Sequence, residues 1–326
     1  MNSVGIIANP AAGKDIRRLV AQGRVVSNQE KANIIKRIFA GLVASGVESV
    51  LLMPDMSGLT LAAVHDWRKK LNTRFLDMHC TGSQLDTAYA AEEMQNAGVN
   101  CIITLGGDGT NRVAAKGLHQ TPILPVSTGT NNVFPQMTEG TLAGLAAGAI
   151  ATGSITLDKA CRRSKKLEVL INGKSSDLAL VDVAVSRQMF IGARAIWEPD
   201  ALESLFLTRA EPTSIGLSSI GAQLRPINID EPHGLYLCFN GQPDDTATTV
   251  RAPLAPGLIV DIYVSSWKVI EPGQIYSISK WPGTVALDGE REVELTKKKN
   301  VDIVLVENGP FVVDVSQTLN VLAGLH

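Results

Sequence analysis

A single aspartate stands among three glycines where an apolar segment of the chain ends, in the stretch Cys101-Ile-Ile-Thr-Leu-Gly-Gly-Asp-Gly-Thr110. The pattern predicts a buried strand, a tight loop and a helix that begins near Thr110. Glycines let a backbone approach phosphate oxygens, and the N–H groups at a helix start attract anions. A carboxylate there would repel phosphate unless magnesium lies between them or the group accepts a proton from an attacking hydroxyl. Asp108 is therefore the candidate catalytic residue, and the alternative is that it only caps the helix.

Two more polar loops follow predicted strands in the same half of the chain. Because the carboxyl ends of parallel strands share one sheet edge, we expect these loops to lie beside Asp108. Their hydroxyl and carboxamide groups are suited to hydrogen-bonding a nucleotide. The candidate nucleotide-binding residues of all three loops are Asn9, Pro10, Gly13, Lys14, Gly106, Gly107, Gly109, Thr110, Asn111, Ser127, Thr128, Gly129, Thr130, Asn131 and Asn132.

The stretch Leu287-Asp-Gly-Glu-Arg-Glu292, in the second half, places two more carboxylates at alternate positions. Asp-Gly between two strand-like runs is typical of a hairpin turn, which is the favoured interpretation. If Asp288 and Glu290 face the cleft, they could instead hold a metal ion or an acceptor hydroxyl.

Better-known site patterns are absent from the sequence. Arg112 stands where the Rossmann fingerprint needs its third glycine, and the chain has no GxxxxGK[ST] sequence. The 4 cysteines and 5 histidines are scattered, so the spacing indicates neither a zinc site nor a disulfide framework.

The candidate loops need a parallel sheet to position them, and the first half of the chain has the pattern of one. Apolar runs alternate with amphipathic stretches, which predicts strands covered by helices on both faces. The predicted strands are residues 4–8, 49–53, 74–78, 101–105 and 123–127, and the predicted helices include 29–44, 84–96 and 140–151.

After residue 152 the pattern becomes mostly β. The predicted strands are residues 167–171, 178–186, 234–239, 246–251, 258–264, 284–287 and 301–306. Helical insertions are predicted for 199–207 and 214–224, and the chain end, 311–325, is expected to return to the first domain.

Bulk properties narrow the class of protein. With 326 residues, 45% hydrophobic and 19% charged, and a net charge of -2, the chain is neither disordered nor a nucleic-acid binder. No segment reaches the roughly 20 apolar residues of a membrane-spanning helix. The start has no basic region before its short apolar run, so we expect a cytoplasmic protein whose partners are small nucleotides, with homo-oligomerisation left open.

Four motifs occur in the order that is seen in NAD kinases and diacylglycerol-type lipid kinases. They are NPxxGK at 9–14, GGDGT at 106–110, GTxN at 129–132 and DGE at 288–290. More narrowly, VGIIANPAAGKDIRRLVA, STGTNNVFP and IGARAIWEP resemble the acetoin catabolism protein X group of ATP-NAD kinase-like proteins.

The resemblance implies an α/β fold class, with a Rossmann-like parallel-sheet domain (1–152 plus 311–326) and a mostly β, sandwich-like domain (153–310). It implies that nucleotide binds in the cleft between them. Asp108 would accept the proton of an acceptor hydroxyl that attacks the γ-phosphoryl of ATP, with Mg²⁺ screening the phosphates. NAD is the default acceptor, in NADP biosynthesis, and a link to acetoin catabolism is a further expectation.

Two departures from the family patterns keep alternatives open. The Thr-Gly-Ser-Thr-Ala-Tyr stretch of NAD kinases is missing, and Val133 follows Asn132 where lipid kinases have an acid. The alternatives are a catalytically silent NAD- or ATP-binding regulatory protein and a lipid kinase of the diacylglycerol type.

Overall fold

Five apolar segments of the first half form parallel strands whose central members are buried on both faces. The computed structural model describes residues 2–12, 22–23, 26–129, 131–187, 201–279 and 282–324, apart from the side chains of residues 291 and 292. The five strands are β1 (Ser3–Ala8), β2 (Ser49–Leu52), β3 (Asn72–Phe75), β4 (Cys101–Gly106) and β5 (Ile123–Ser127).

The first sheet has seven strands, because two later segments join it. Its order is β3-β2-β1-β4-β5-β19-β6. The short strand β19 (Phe311–Val313) runs parallel to β5, and β6 (Cys161–Arg163) pairs antiparallel with β19. The end of the chain therefore returns to the first sheet.

Helices cover both faces of this sheet. One core cluster packs α1, α2 and α5 against one face, and a second packs α3 and α4 against the other. The helices of the chain are α1 (Asn28–Ala44), α2 (Leu59–Val64), α3 (Gln84–Asn96), α4 (Asp108–Lys116), α5 (Gly140–Ala151), α6 (Leu157–Ala160), α7 (Ser218–Ala222) and α8 (Val315–Ala323). In the part of the chain that the structure describes, no helix has the length and hydropathy needed to cross a bilayer.

The second domain is a largely antiparallel β structure. Its strands are β7 (Lys166–Ile171), β8 (Lys174–Ala179), β9 (Asp182–Ser186), β10 (Leu202–Leu207), β11 (Gly234–Cys238), β12 (Thr248–Ala255), β13 (Leu258–Val264), β14 (Ser266–Ile270), β15 (Ile275–Ile278), β16 (Gly283–Leu287), β17 (Glu290–Leu295) and β18 (Val301–Val306). A six-stranded sheet, β14-β11-β10-β9-β16-β17, packs on a four-stranded sheet, β15-β18-β7-β8. The hairpin β12-β13 and helix α7 cover the other face of the six-stranded sheet.

This arrangement corrects three of the predicted elements. The helix predicted for 199–207 is wrong, because Leu202–Leu207 forms β10. Leu205 and Leu207 face one core and Phe206 faces the other, so residues 205–207 are continuously apolar and lack the alternation of a half-buried strand. The strand predicted for 178–186 is interrupted at residues 180 and 181, and the helix predicted for 214–224 is only Ser218–Ala222.

Helices α1 and α5 approach each other through glycines. A Cβ atom on Gly144 would collide with the carbonyl oxygen of Ile38 and would lie 3.1 Å from the Cα atom of Gly41. A Cβ atom on Gly41 would collide with the backbone of residues 141 and 145 in the same way. The absence of both side chains therefore sets the distance between the two helices.

We expect Gly144→Ala to destabilise the chain by about 1–3 kcal/mol, because the new methyl group must separate two packed helices. In an open helical position the same substitution stabilises by up to about 1 kcal/mol. Urea unfolding measures the difference. Gly324→Ala is the matched control, since its nearest atom would lie at 3.6 Å, and equal stability of the two variants would contradict the close packing.

Candidate functional site

The carboxylate of Asp108 joins two of the three candidate loops. Asp108 is the first residue of α4, and the residue that caps this helix is Gly107, which makes no side-chain cap. The interpretation of Asp108 as a helix cap is therefore wrong. Instead, Oδ1 accepts the N–H of Phe134 at 2.7 Å, and both carboxylate oxygens accept the N–H of Val133 at 3.1 Å. These bonds fix the direction of a half-buried carboxylate at a helix start.

The glycines around Asp108 make room for other side chains of the site. A Cβ atom on Gly106 would lie 2.5 Å from the Oγ1 of Thr110, and one on Gly107 would lie 2.7 Å from the Oδ1 of Asn132. A Cβ atom on Gly109 would lie 2.9 Å from the Oε1 of Glu290. In the GGDGT loop (residues 106–110), Gly106 thus admits a side chain of the loop itself, and Gly107 and Gly109 admit polar groups from two other parts of the chain.

The loop after β1 (residues 9–12) contacts the GGDGT loop through Asn9. The Nδ2 of Asn9 donates to the Oγ1 of Thr110 at 3.0 Å, and its Oδ1 accepts the N–H of Ala11 at 2.8 Å. The fully buried Lys31 of α1 donates to the carbonyl oxygens of Asn9, Pro10 and Ala12 at 2.7 to 3.1 Å. An ammonium group buried under three carbonyls holds the loop in one shape.

The loop after β5 (residues 127–132) is cross-linked by its own side chains. The Nδ2 of Asn132 donates to the Oγ of Ser127 at 2.8 Å, and that hydroxyl donates to the carbonyl oxygen of Gly129 at 2.9 Å. The Oγ1 of Thr128 and the Oδ1 of Asn131 are buried and have no hydrogen-bond partner among the described residues. Both are polar atoms that a ligand in this loop could satisfy.

Asn111 has a supporting position. It is fully buried, its Oδ1 accepts the hydroxyl of Thr104 at 2.6 Å, and its Nδ2 donates to the carbonyl oxygen of Gly107 at 2.9 Å. Its carboxamide thereby fixes the turn that precedes Asp108. Of the other candidates, Gly13, Lys14 and Thr130 lie outside the described residues.

Arg112 connects α4 to the second domain. From the sequence, it stood out only as the residue in place of the third glycine of the Rossmann fingerprint. Its side chain is fully buried, with Nη1 at 3.2 Å from Asp177 of β8 and Nη2 at 3.7 Å from Glu290 of β17. Glu290 also accepts the Nε2 of Gln84, from α3, at 2.7 Å. Arg112 is one helical turn after Asp108, so the signal that could have identified it is its spacing of four residues.

The DGE stretch places its two carboxylates differently. Asp288 is 4% exposed, and its oxygens accept the N–H groups of Leu180, Val181 and Asp182 at 2.8 to 3.1 Å. The backbone at Asp288 has a φ of 49°, as the hairpin interpretation requires. Glu290, in contrast, is partly exposed and lies over Gly109. The prediction that the pair holds a metal ion or an acceptor stays a prediction.

Burial and neighbouring charges both shift the pKa of Asp288. Burial raises the pKa of Asp288 from 3.8 to about 7; Arg112 lowers it, the charge of Asp108 raises it, and the N–H bonds from Leu180 and Val181 lower it. The side chain therefore lies within the electrostatic reach of both α4 residues.

The carboxylates of the site can be examined as ligands for a magnesium ion. Among the residues that the structure describes, no three His, Cys, Asp or Glu side chains gather into a metal cluster. Magnesium at a phosphate site needs only one or two carboxylates, since phosphate oxygens and water complete its shell. Glu290, which lies over Gly109, is a single carboxylate of this kind.

Comparison with known proteins gives the family. The ATP-NAD kinase N-terminal domain matches residues 4–155, and the acetoin catabolism protein X C-terminal domain matches residues 165–308. Acetoin catabolism protein X of Cupriavidus necator is 38% identical over 334 residues, which cover 99% of this chain and 92% of that protein. The chain belongs to the acetoin catabolism protein X family.

Family membership confirms the resemblance and the fold class that the sequence predicted. A solved structure from Bacillus anthracis strain Sterne, provisionally described as a diacylglycerol kinase, is also similar. It covers 96% of this chain and 98% of its own, with 13% identity and a TM-score of 0.45. The division into residues 1–152 plus 311–326 and 153–310, and the roles of the site residues, stay predictions.

We expect Lys31→Met to lower stability by about 2–4 kcal/mol, because three partly buried carbonyl groups lose their shared donor. Urea unfolding of the variant measures this loss. Lys36→Met is the matched control, since Lys36 lies on the same helix but makes a partly exposed ion pair with Asp66. Equal losses in the two variants would contradict a role for Lys31 in shaping the β1 loop.

The raised pKa of Asp288 predicts how the free energy of unfolding depends on pH. With its pKa raised from 3.8 to about 7, the folded chain keeps a proton that the unfolded chain has released. Stability therefore falls as the pH rises through this window. Asp288→Asn lacks this contribution, so the wild type should show the steeper decline in urea unfolding. Parallel curves would show that the N–H bonds keep Asp288 ionised despite its burial.

Proposed function

We propose that the chain is an ATP-dependent phosphotransferase that moves the γ-phosphoryl group of ATP to a hydroxyl of a small acceptor. The observation that carries the proposal is the position of Asp108. Its carboxylate, at the start of α4, accepts the N–H groups of Val133 and Phe134, within the residues that match the ATP-NAD kinase N-terminal domain. Phosphotransfer depends mainly on positioning and electrostatics, which such a loop can supply.

The nucleotide would lie along the three loops at the carboxyl edge of the first sheet. The start of α4 offers N–H groups and a positive dipole end to phosphate oxygens. The buried Thr128 hydroxyl and the Asn131 carbonyl, which lack partners among the described residues, would satisfy their hydrogen bonds on the ligand. These polar groups bind a nucleotide without adding negative charge.

Asp108 would act as the general base. As the acceptor oxygen attacks the γ-phosphorus, its O–H proton passes to the Asp108 carboxylate, the bond from phosphorus to the bridging oxygen breaks, and ADP leaves with that electron pair. The Val133 and Phe134 N–H groups orient the carboxylate for this transfer.

Magnesium would be held beside the phosphates by the carboxylate of Glu290, which leaves Asp108 to accept the proton. When bound, it supplies positive charge that offsets the repulsion between carboxylate and phosphate. Arg112, at 3.7 Å from Glu290, keeps that carboxylate directed toward Gly109.

NAD is the first acceptor to consider, because the matching N-terminal domain is that of ATP-NAD kinases. The name of the Cupriavidus necator relative suggests acetoin, and the diol formed by its reduction, as further acceptors to test. We therefore propose a small hydroxylated acceptor bound beside the GGDGT loop, with NAD as the default.

The decisive assay incubates the chain with γ-labelled ATP, magnesium and separate acceptors: NAD, acetoin, butanediol and diacylglycerol. We expect label transfer to one acceptor, reduced about 100- to 10,000-fold in Asp108→Asn, with ATP affinity retained in calorimetry. Asp66→Asn removes the same charge at a remote, exposed site and should keep full turnover.

Each other outcome has a distinct meaning. Unchanged turnover in Asp108→Asn would remove the proposed base. Transfer to diacylglycerol alone would make the chain a lipid kinase. Binding of ATP or NAD without any transfer would support a regulatory protein, and the absence of nucleotide binding would contradict the whole proposal.

A further inference from the structure

A second cavity lies between the domains, behind the loop that holds Asp108. It has a volume of about 80 Å³, is partly open, and is lined by β5 and β19 of the first sheet and by Arg209 and Ile229 of the second domain. A buried water needs roughly 10–15 Å³, so the space suits a ligand of a few heavy atoms. Leu124, Phe134 and Val312 make much of its wall apolar.

Two polar groups in the wall of this cavity lack partners. Arg209 is 8% exposed and Ser164 is 7% exposed, and both line the cavity. Neither the Nε of Arg209 nor the Oγ of Ser164 has a hydrogen-bond partner among the described residues. A buried guanidinium or hydroxyl without a partner costs free energy, so the native chain is expected to bind something here.

The arginines around the cavity determine how much negative charge a bound ligand can carry. Arg162 is already paired with Asp230 at 2.8 Å and with Asp314 at 2.9 Å. The Arg163 guanidinium lies 4.3 Å from the ring centre of Phe311. Within the described residues no ion pair is formed by Arg209, whose guanidinium lies 5.2 Å from the ring centre of Phe134.

We propose that this cavity binds a short-chain carboxylate. One acid oxygen accepts the Nε–H of Arg209 and the hydroxyl of Ser164, and the alkyl tail lies against Leu124 and Val312. A monoanion matches the single unpaired guanidinium, whereas a phosphate dianion would meet the Asp314 carboxylate with too little positive charge to compensate. The apolar wall favours a ligand with a short alkyl chain over a bare anion.

The proposal goes beyond the phosphotransferase reaction and does not depend on it. Phe134 separates the cavity from the candidate active site, because its N–H binds Asp108 and its ring faces Arg209. Binding of the carboxylate is therefore measured without ATP, and Asp108→Asn should retain it.

The test is calorimetric titration of the full chain with acetate, propionate and butyrate, with propionamide and inorganic phosphate as comparison ligands. We expect saturable binding of propionate or butyrate, weakened about tenfold or more in both Arg209→Met and Ser164→Ala, since each removes a hydrogen bond to a charged group. Arg251→Gln removes one positive charge from an exposed ion pair on the β12-β13 hairpin and should bind as the wild type does.

Three results would overturn the proposal: no binding of any carboxylate, equal or tighter binding of propionamide or phosphate, and unchanged affinity in Ser164→Ala. If Arg209→Met does not fold, Ser164→Ala decides, because a small side chain replaces another at a position that accepts it. Loss of phosphotransfer in Asp108→Asn together with retained carboxylate binding would separate the two sites.

Discussion

The hydrogen bonds from the backbone of Val133 and Phe134 to the Asp108 carboxylate are the constraint on which the candidate site depends. They join the start of α4 to the loop after β5, so that two segments that follow different strands move as one. Asn9 connects the loop after β1 to this pair through its hydrogen bond to Thr110. Lys31 holds the same loop by donating to its carbonyl oxygens. A carboxylate that is to accept a proton beside a phosphate group must be held in one direction, and this network holds it.

The second domain completes the same network from the opposite side. Glu290 reaches over Gly109 and accepts from Gln84, while Arg112 lies between Glu290 and Asp177. Buried ion pairs add little net stability, because desolvation offsets much of their attraction. Their effect here is positional: α4, which begins with Asp108, is fixed to strands of the β domain at two points.

Local patterns predicted most of the fold, and the clearest exception has a physical cause. Helix α5 and strands β5, β13 and β18 have the predicted bounds, because each is an apolar run between polar or turn-forming residues. Strand β10 was predicted as a helix, since a strand buried between two cores carries no alternation. In the site, spacing predicted the three loops, but it could not show what fills the space beside each glycine. Lys31 and Arg112 were missed because a buried charge looks like a surface charge until its partners, 19 to 178 residues away, are known.

Phe134 contacts both the candidate active site and the cavity between the domains. Its N–H binds the negative group of the candidate active site, and its ring lies against the positive group of the second cavity. Burial lowers the pKa of Arg209, and the charges of Glu211, Asp108 and Asp288 oppose this effect. Nearby carboxylates, Glu211 first among them, favour the charged form of the guanidinium without a direct ion pair among the described residues. Since a buried cation with no adjacent counter-ion is unfavourable, an anion in the cavity would supply the charge that Arg209 lacks.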